Sequence, residues 1–227
     1  MFGLERLPDT LPVFPLTGAL LLPKGRLPLN IFESRYLDMV YHAREKNGLI
    51  GMVQPQVSPL ESQEGNDQHG TAPRNRPLFT MGCVGMISDL KEKNGGLMIL
   101  LTGLSRFDIV EELPLAQTFR EVRVLYDRFR EDCAAPLRSD DIPRQKLILT
   151  VGKYLKLYNV VPKWESLENV CDEELINALA MICPFGIGEK QALLEAKNIK
   201  DRVNLMLKIM AFDLSGGQAV LSDKFVQ

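Results

Sequence analysis

Prolines and apolar residues alternate at short range over the first thirty-odd residues, and that pattern excludes a helix there. Pro12, Pro15, Pro23 and Pro28 each fix φ, remove a backbone donor and push the preceding residue towards extended geometry. Two short edge strands are predicted, Pro12 to Leu16 and Arg26 to Ile31, joined by a loop through Leu20-Leu21-Leu22-Pro23-Lys24-Gly25. From Glu33 the period becomes helical. Phe32, Tyr36, Leu37, Val40 and Ala43 recur on one side, with Arg35, Asp38, His42, Glu45 and Lys46 on the other. Asn47-Gly48 closes this helix, because both residues tolerate the left-handed conformation of a C-cap, and Leu49 to Val53 reads as a strand.

Between Gln54 and Leu78 the apolar periodicity stops. This stretch, which contains His69, is rich in Pro, Gly, Ser, Asn and Gln and reads as a long inserted loop without convergent chemistry. From Phe79 the pattern is that of strands. Cys83 to Ser88 and Leu97 to Leu101 flank Asn94-Gly95, a hairpin signal. Arg106 to Val110 is a further strand. Phe119 to Tyr126 alternates, with Val122, Val124 and Tyr126 on one face and Glu121, Arg123 and Leu125 on the other. Many short strands around one helix predict a strongly bent sheet or pseudo-barrel over residues 1–130.

A polar junction at 130–136 precedes a change to helical spacing. Leu147, Ile148, Val151, Tyr154, Leu155 and Tyr158 form one stripe, with Asp140 or Asp141 as N-cap and Val161-Pro162 beyond its end. A second helix runs from Asp172 to Ile182 and a third from Glu189 to Lys197. Asn198 caps a fourth, lined by Ile199, Val203, Met206, Leu207 and Met210. Residues 131–214 therefore read as a helical bundle subdomain, followed by a tail at 215–227, and the class is α+β.

Charge and composition narrow the function. A formal net charge of −2 and a pI near 5.8 give no electrostatic footprint for nucleic acid. No apolar run approaches the about 20 residues of a membrane span, and the first residues show neither a secretory leader nor a myristoylation glycine, so a cytoplasmic location is expected. Four cysteines, Cys83, Cys133, Cys171 and Cys183, are widely spaced with only His42 and His69 to assist. Reduced thiols are expected, with neither metal nor cofactor.

Four blocks carry a family resemblance. They are Leu11 to Tyr36, with its Phe32-Glu33-Ser34-Arg35-Tyr36 turn; Leu49 to Val53 followed by Met81-Gly82-Cys83-Val84-Gly85; Ile99 to Ile109, with Gly103-Leu104-Ser105-Arg106-Phe107; and Glu189 to Glu195 ahead of an apolar helix. In this order they resemble the N-terminal substrate-recognition domain of the Lon proteases. The resemblance implies a PUA-like β pseudo-barrel with one helix, a helical subdomain behind it, and polypeptide binding by a free-standing module. Three departures are the 54–78 loop, Ser34 where the family often has proline, and a weak helix start at Gly188.

The catalytic parts of a Lon protease have no counterpart among these motifs. Nucleotide hydrolysis of that kind needs G-x-x-x-x-G-K-[S/T], and Gly186-Ile187-Gly188-Glu189-Lys190 is too short and lacks the hydroxyl, so it reads as a turn. No serine has the family's Pro-Ser-Ala-Gly setting. His42 reads as a solvated helix residue one turn from Asp38, and Glu33 and Arg35 as a charge pair fixing the strand-to-helix turn. The chain is thus expected not to be an enzyme. Its expected partners are unfolded or specific polypeptides, together with a protease or chaperone. Candidate binding residues are Leu20, Leu21 and Leu22, an apolar loop that either forms a patch or tucks under the barrel, and Met206, Met210 and Phe212 on the last helix, where the same choice arises. The alternative is RNA binding on the barrel through Arg120, Arg123, Arg128 and Arg130, whose interspersed acids argue for neutralisation.

Overall fold

A strand rich in proline can lie inside a sheet only where no neighbour requires the missing donor. Strand β1 (Thr10–Pro15) meets this condition. It runs antiparallel to β6 (Arg120–Leu125) through residues 10–13 and parallel to β3 (Leu49–Val53) through residues 13–15. The Leu16 N–H donates to the Val53 carbonyl at 3.1 Å, so even-numbered amides point towards β3. Pro12 therefore precedes the β3 ladder, and Pro15 lies past the β6 ladder. β1 is an interior strand rather than the expected edge strand. The computed structural model describes residues 7–56, 75–93, 95–134, 142–161 and 170–216; the body of the 54–78 loop with His69, Asn94 of the hairpin, Asp140, Asp141 and residues 217–227 of the tail lie outside them, and the helix expected to be capped by one of those aspartates starts at Arg144 with Pro143 as its N-cap residue instead. Two compact units, Met1–Ala135 and Pro136–Gln227, make up the chain.

The first unit is a mixed sheet whose strands close on themselves. β3 pairs with β4 (Met81–Lys93), β4 with β5 (Gly96–Glu112), β5 with β6 and β6 with β1, giving a ring of five. β2 (Arg26–Ile31) lies outside the ring on β5, with Pro28 in its middle. Leu11, Val13, Leu49, Val53, Val84, Val122 and Val124 fill the interior around Phe107. The Phe107 ring sets the size of its neighbours: a Cβ on Gly82 would lie 2.5 Å from it and 2.6 Å from the Met52 carbonyl oxygen. β5 is one strand where two were expected, because Gly103 interrupts the apolar run without ending the pairing with β4.

Gly103 also explains the apolar loop. The Lys24 N–H donates to the Gly103 carbonyl at 2.8 Å and the Gly103 N–H donates to that of Gly25 at 2.9 Å. A Cβ at Gly103 would overlap the carbonyl oxygen of Leu22, and one at Gly85 would meet the Leu21 side chain. Leu20, Leu21 and Leu22 are consequently buried, which settles the choice between patch and core for the core and corrects their candidacy as binding residues. Helix α1 (Ser34–Lys46) buries Tyr36, Met39, Val40 and Ala43 and ends at Gly48, whose φ is +72°. Phe32, expected to open that apolar stripe, lies ahead of the helix and is 76% exposed. A 3-10 segment, Asp127–Cys133, is tied to β5 by Asp132: its carboxylate takes the Arg106 N–H at 2.9 Å, Nε at 2.9 Å and Nη2 at 2.8 Å. The first unit therefore runs past the expected boundary at residue 130.

The second unit holds α2 (Arg144–Leu157), α3 (Asp172–Ile182), α4 (Ile187–Glu195) and α5 (Ile199–Leu214). α5 packs against the other three. Arg202 within it is buried and donates to the Leu193 carbonyl at 2.9 Å and to Asn177 Oδ1 at 2.8 Å, joining α5 to α4 and α3. Met206 and Met210 are fully buried, so the same choice is settled for the core and their candidacy as binding residues is corrected. Asn198 caps α5 as expected, its Oδ1 accepting the Asp201 N–H at 2.9 Å. α4 starts at Ile187, two residues early, because Glu189 reaches back to the Gly186 N–H at 2.7 Å and supplies the cap that Gly188 lacks. Asn159, at φ +55°, ends α2 in a Schellman turn, with the Val160 N–H donating to the Leu155 carbonyl at 3.0 Å. Among the described residues no helix is long and apolar enough to cross a membrane.

The close approach at Gly103 is open to a direct test. Gly103→Ala should lower stability by about 3 kcal/mol, since the added methyl meets backbone rather than a movable side chain, while Gly188→Ala, with open space around it, should be neutral or stabilising by about 0.5 kcal/mol. Urea denaturation of both variants gives the comparison; equal midpoints would show that the Leu22 backbone does not press on Gly103.

Candidate functional site

Of the six residues expected to bind polypeptide, Leu20, Leu21, Leu22, Met206 and Met210 lie in the two cores, and Phe212 alone is exposed, at 61%. Apolar surface appears elsewhere. In the first unit Phe32, Tyr41, Val110, Leu115 and Leu125 are exposed; in the second, Leu149, Leu157, Val160, Val161, Ile182, Phe212 and Leu214. Pattern reading missed most of these, because a residue just beyond a helix end, such as Val161, leaves the period that marks its face. A usable signal existed in Val160-Val161 directly ahead of Pro162.

The charge pair expected at the strand-to-helix turn is present. Arg35 Nε lies 3.0 Å from Glu33 Oε2, its guanidinium sits 4.6 Å from the centre of the Tyr36 ring, and that ring packs on Phe14 at 4.4 Å. Beside it, Pro15, Arg35, Tyr36, Leu115, Thr118, Phe119 and Arg120 line a dent with about 10 Å³ of room. That is space for about one water molecule, against the several hundred Å³ of a typical small-molecule site.

Among the described residues titratable side chains do not converge on a catalytic arrangement. His42 is half-buried against β6 instead of solvated, with Nε2 3.8 Å from Glu121 Oε1 and its ring 5.2 Å from that of Phe119. Asp38 accepts the Thr118 hydroxyl at 2.8 Å. Among the described residues no group of three or more His, Cys, Asp or Glu side chains is placed to hold a metal ion. Burial pushes the Cys183 thiol up to about 12, so it is not a nucleophile at neutral pH. Lys190 is buried, and its pKa is lowered by that burial. The four arginines of the nucleic-acid alternative are each in an ion pair: Arg120 with Glu112, Arg123 with Glu111 at 3.1 Å, Arg128 with Asp108, and Arg130 with Asp127 at 3.2 Å.

The sequence model of the ATP-dependent protease La (LON) substrate-binding domain matches residues 10–211. The chain belongs to this family. It is 24% identical over 217 residues to the Lon protease of Syntrophus aciditrophicus, covering 92% of this chain and 26% of that protein. With the Lon protease of Brevibacillus choshinensis it shares 28% over 205 residues, covering 88% and 24%. It thus spans about a quarter of the length of these relatives. Among solved structures it is similar to a Lon N-terminal domain protein from Xanthomonas campestris, at a TM-score of 0.54 and 20% identity, over 88% of this chain and 98% of that one. The N-terminal domain of the Mycobacterium avium complex Lon protease gives 0.52 and 15%, over 89% and 98%.

Within this Lon substrate-binding domain the blocks that carried the resemblance are chiefly scaffold. Leu11 to Tyr36 supplies β1, the buried loop, β2 and the charged turn, while Phe107 fills the ring and Arg106 holds the 3-10 segment. Arg106 and Asp132 are both buried, so removing one partner strands the other. Asp132→Ala should destabilise the domain by about 3–5 kcal/mol and Asp132→Asn by less. Equilibrium urea unfolding checks this, and a loss below about 1 kcal/mol for the alanine variant would show that the pair is not a structural tie.

Proposed function

We propose that this Lon substrate-binding domain is a non-catalytic module that captures polypeptide segments and presents them to a protease or chaperone. The observation that carries the reading is the family match, which runs through both units of the fold. The site geometry supports it from three directions. The dent beside Arg35 is too small for a metabolite. Lys190, the one cation in the glycine-bearing turn at 186–190, is buried instead of facing a phosphate. Apolar side chains stand exposed on both units, as a surface for unfolded chains requires. The ion-paired arginines favour polypeptide over RNA, since a phosphate backbone would have to displace an acid from each.

The test is a parallel titration with reduced, carboxymethylated α-lactalbumin, native α-lactalbumin and poly(U), across a salt series, with ATPase and peptidase assays on the same preparation. Saturable binding of the unfolded protein alone, with both activities at background, is the expected result. Saturable, salt-dependent poly(U) binding without polypeptide affinity would replace this reading with the RNA one.

A further inference from the structure

Helix α2 has two faces of opposite character. Leu147, Val151, Tyr154 and Leu155 are buried, and α2 packs on α5. At 3.6 residues per turn, Lys146, Leu149, Thr150, Lys153, Lys156 and Leu157 fall on the other side, within about a third of the circumference and along about 17 Å of the axis. Exposure follows this geometry: the three lysines lie open to solvent, Leu149 is 67% exposed and Leu157 55%. Because the six residues share one side of one helix, they form a single continuous surface.

Two properties set that surface apart. The first is charge of one sign. α2 has no acidic residue, in a chain whose 29 acidic residues outnumber its 27 lysines and arginines. Among the described residues none of the three lysines is in an ion pair, whereas Arg144 on the same helix is answered by Asp172 at 2.7 Å. Thr150 donates its hydroxyl to the Lys146 carbonyl at 2.8 Å, within the helix. The exposed faces of α1 and α5 mix signs instead, with Asp38, Glu45 and Lys46 on the first and Lys200, Asp201 and Lys208 on the second. The second property is that the face does not serve the helix that bears it. Lys153 and Lys156 are neighbours of like charge, and Lys146 lies in a first turn that has neither an acid nor a side-chain cap, where the helix dipole favours negative charge. Two large leucines face water beside them. Local choices that oppose the fold in this way mark a surface kept for another purpose.

We propose that this face of α2 docks an acidic amphipathic helix of a client polypeptide, its leucine-like side chains against Leu149 and Leu157 and its glutamates or aspartates against Lys146, Lys153 and Lys156. The proposal rests on the polypeptide-recognition reading and adds to it a place and a client chemistry. Charge complementarity selects the occupant. A second copy of the same face would bring like charges together, which disfavours a symmetric pair of α2 helices. A helical client matches a stripe that recurs every three to four residues over about three turns, whereas alternate side chains of an extended chain point away from it. RNA makes no use of leucines set among the charges, and three lysines release few counterions. A helix lying in a membrane surface keeps its apolar and basic residues on separate faces; α2 interleaves them on the exposed side, its wholly apolar face being taken up by packing on α5.

The experiment uses the full chain and three fluorescent peptides of about 20 residues, long enough to form a helix, which share one leucine stripe and carry glutamate, glutamine or lysine at the polar positions. At low salt the glutamate peptide should bind about tenfold more tightly than the glutamine peptide, and most of that advantage should vanish in about 0.5 M salt. Lys146→Glu, Lys153→Glu and Lys156→Glu together should turn the preference towards the lysine peptide. Leu149→Ser with Leu157→Ser should weaken the glutamate and glutamine peptides alike, by about tenfold, with an unchanged melting temperature, since both side chains are exposed. Equal binding of the glutamate and glutamine peptides by the wild-type chain overturns the proposal and depends on no variant. An unchanged glutamate preference in the triple variant overturns it too; Lys153→Gln alone, which should lower that preference about twofold, decides the point if the triple variant does not fold. Either outcome with unfolded α-lactalbumin still captured leaves the recognition reading standing, and failure to bind any peptide or unfolded α-lactalbumin overturns both. Binding of poly(U), or of vesicles containing phosphatidylserine, that the triple variant abolishes, with no peptide affinity, would assign the face to that polyanion and overturn the client.

Discussion

Strand β5 has more backbone to satisfy than any one neighbour can serve on its open side. β4 follows it along almost its whole length, but on the other side β2 covers residues 97–102 and β6 covers 108–112. The stretch between has no strand beside it, and buried amides do not tolerate that. The gap is closed by two pieces of irregular chain: the backbone of Lys24 and Gly25 at Gly103, and the Asp132 carboxylate at the Arg106 N–H. Much of the first unit follows. The leucine loop is drawn inward, the 3-10 segment is fixed, and the ring can close over Phe107 without leaving polar groups stranded.

This seam also marks the limit of what local pattern could reveal. β2, β3 and α3 were legible to the residue, and the caps at Gly48 and Asn198 followed from side-chain chemistry, because each depends on neighbours within a few positions. Leu20, Leu21 and Leu22 were left undecided between patch and core, since the glycine that receives them lies about eighty positions away. Arg106 gave no sign of its acid twenty-six residues on. Phe32 misled in the opposite sense: it fits the helical period of Tyr36 and Val40, yet lies before the helix begins.

Electrostatics separates the two units in kind. On the barrel the visible charge is spent internally, with Arg120, Arg123, Arg128 and Arg130 each facing an acid, in keeping with a net charge of only −2 for the chain. The exposed pairs among them, such as Arg123–Glu111 and Arg130–Asp127, add little stability, but all four remove fixed charge that would otherwise attract polyanions. On the helical unit the notable group is Asp213, a buried carboxylate that faces the hydroxyls of Tyr154 and Tyr158.

Pro28 bears on a hazard faced by any sheet with open edges. Among the described residues β2 pairs with β5 alone, and the distal half of β4 runs beyond β3. These free edges would invite a captured chain to zip on as another strand and seed fibrous growth. Bonding of Gly25 to Gly103 sets the alternation that turns Pro28 away from β5, so the outer edge of β2 lacks a donor at its centre, and the far part of β4 carries Lys91, Glu92 and Lys93. Neither edge is a template for a lasting cross-strand bond. A polypeptide bound as proposed would then be held by side chains and not as an added strand.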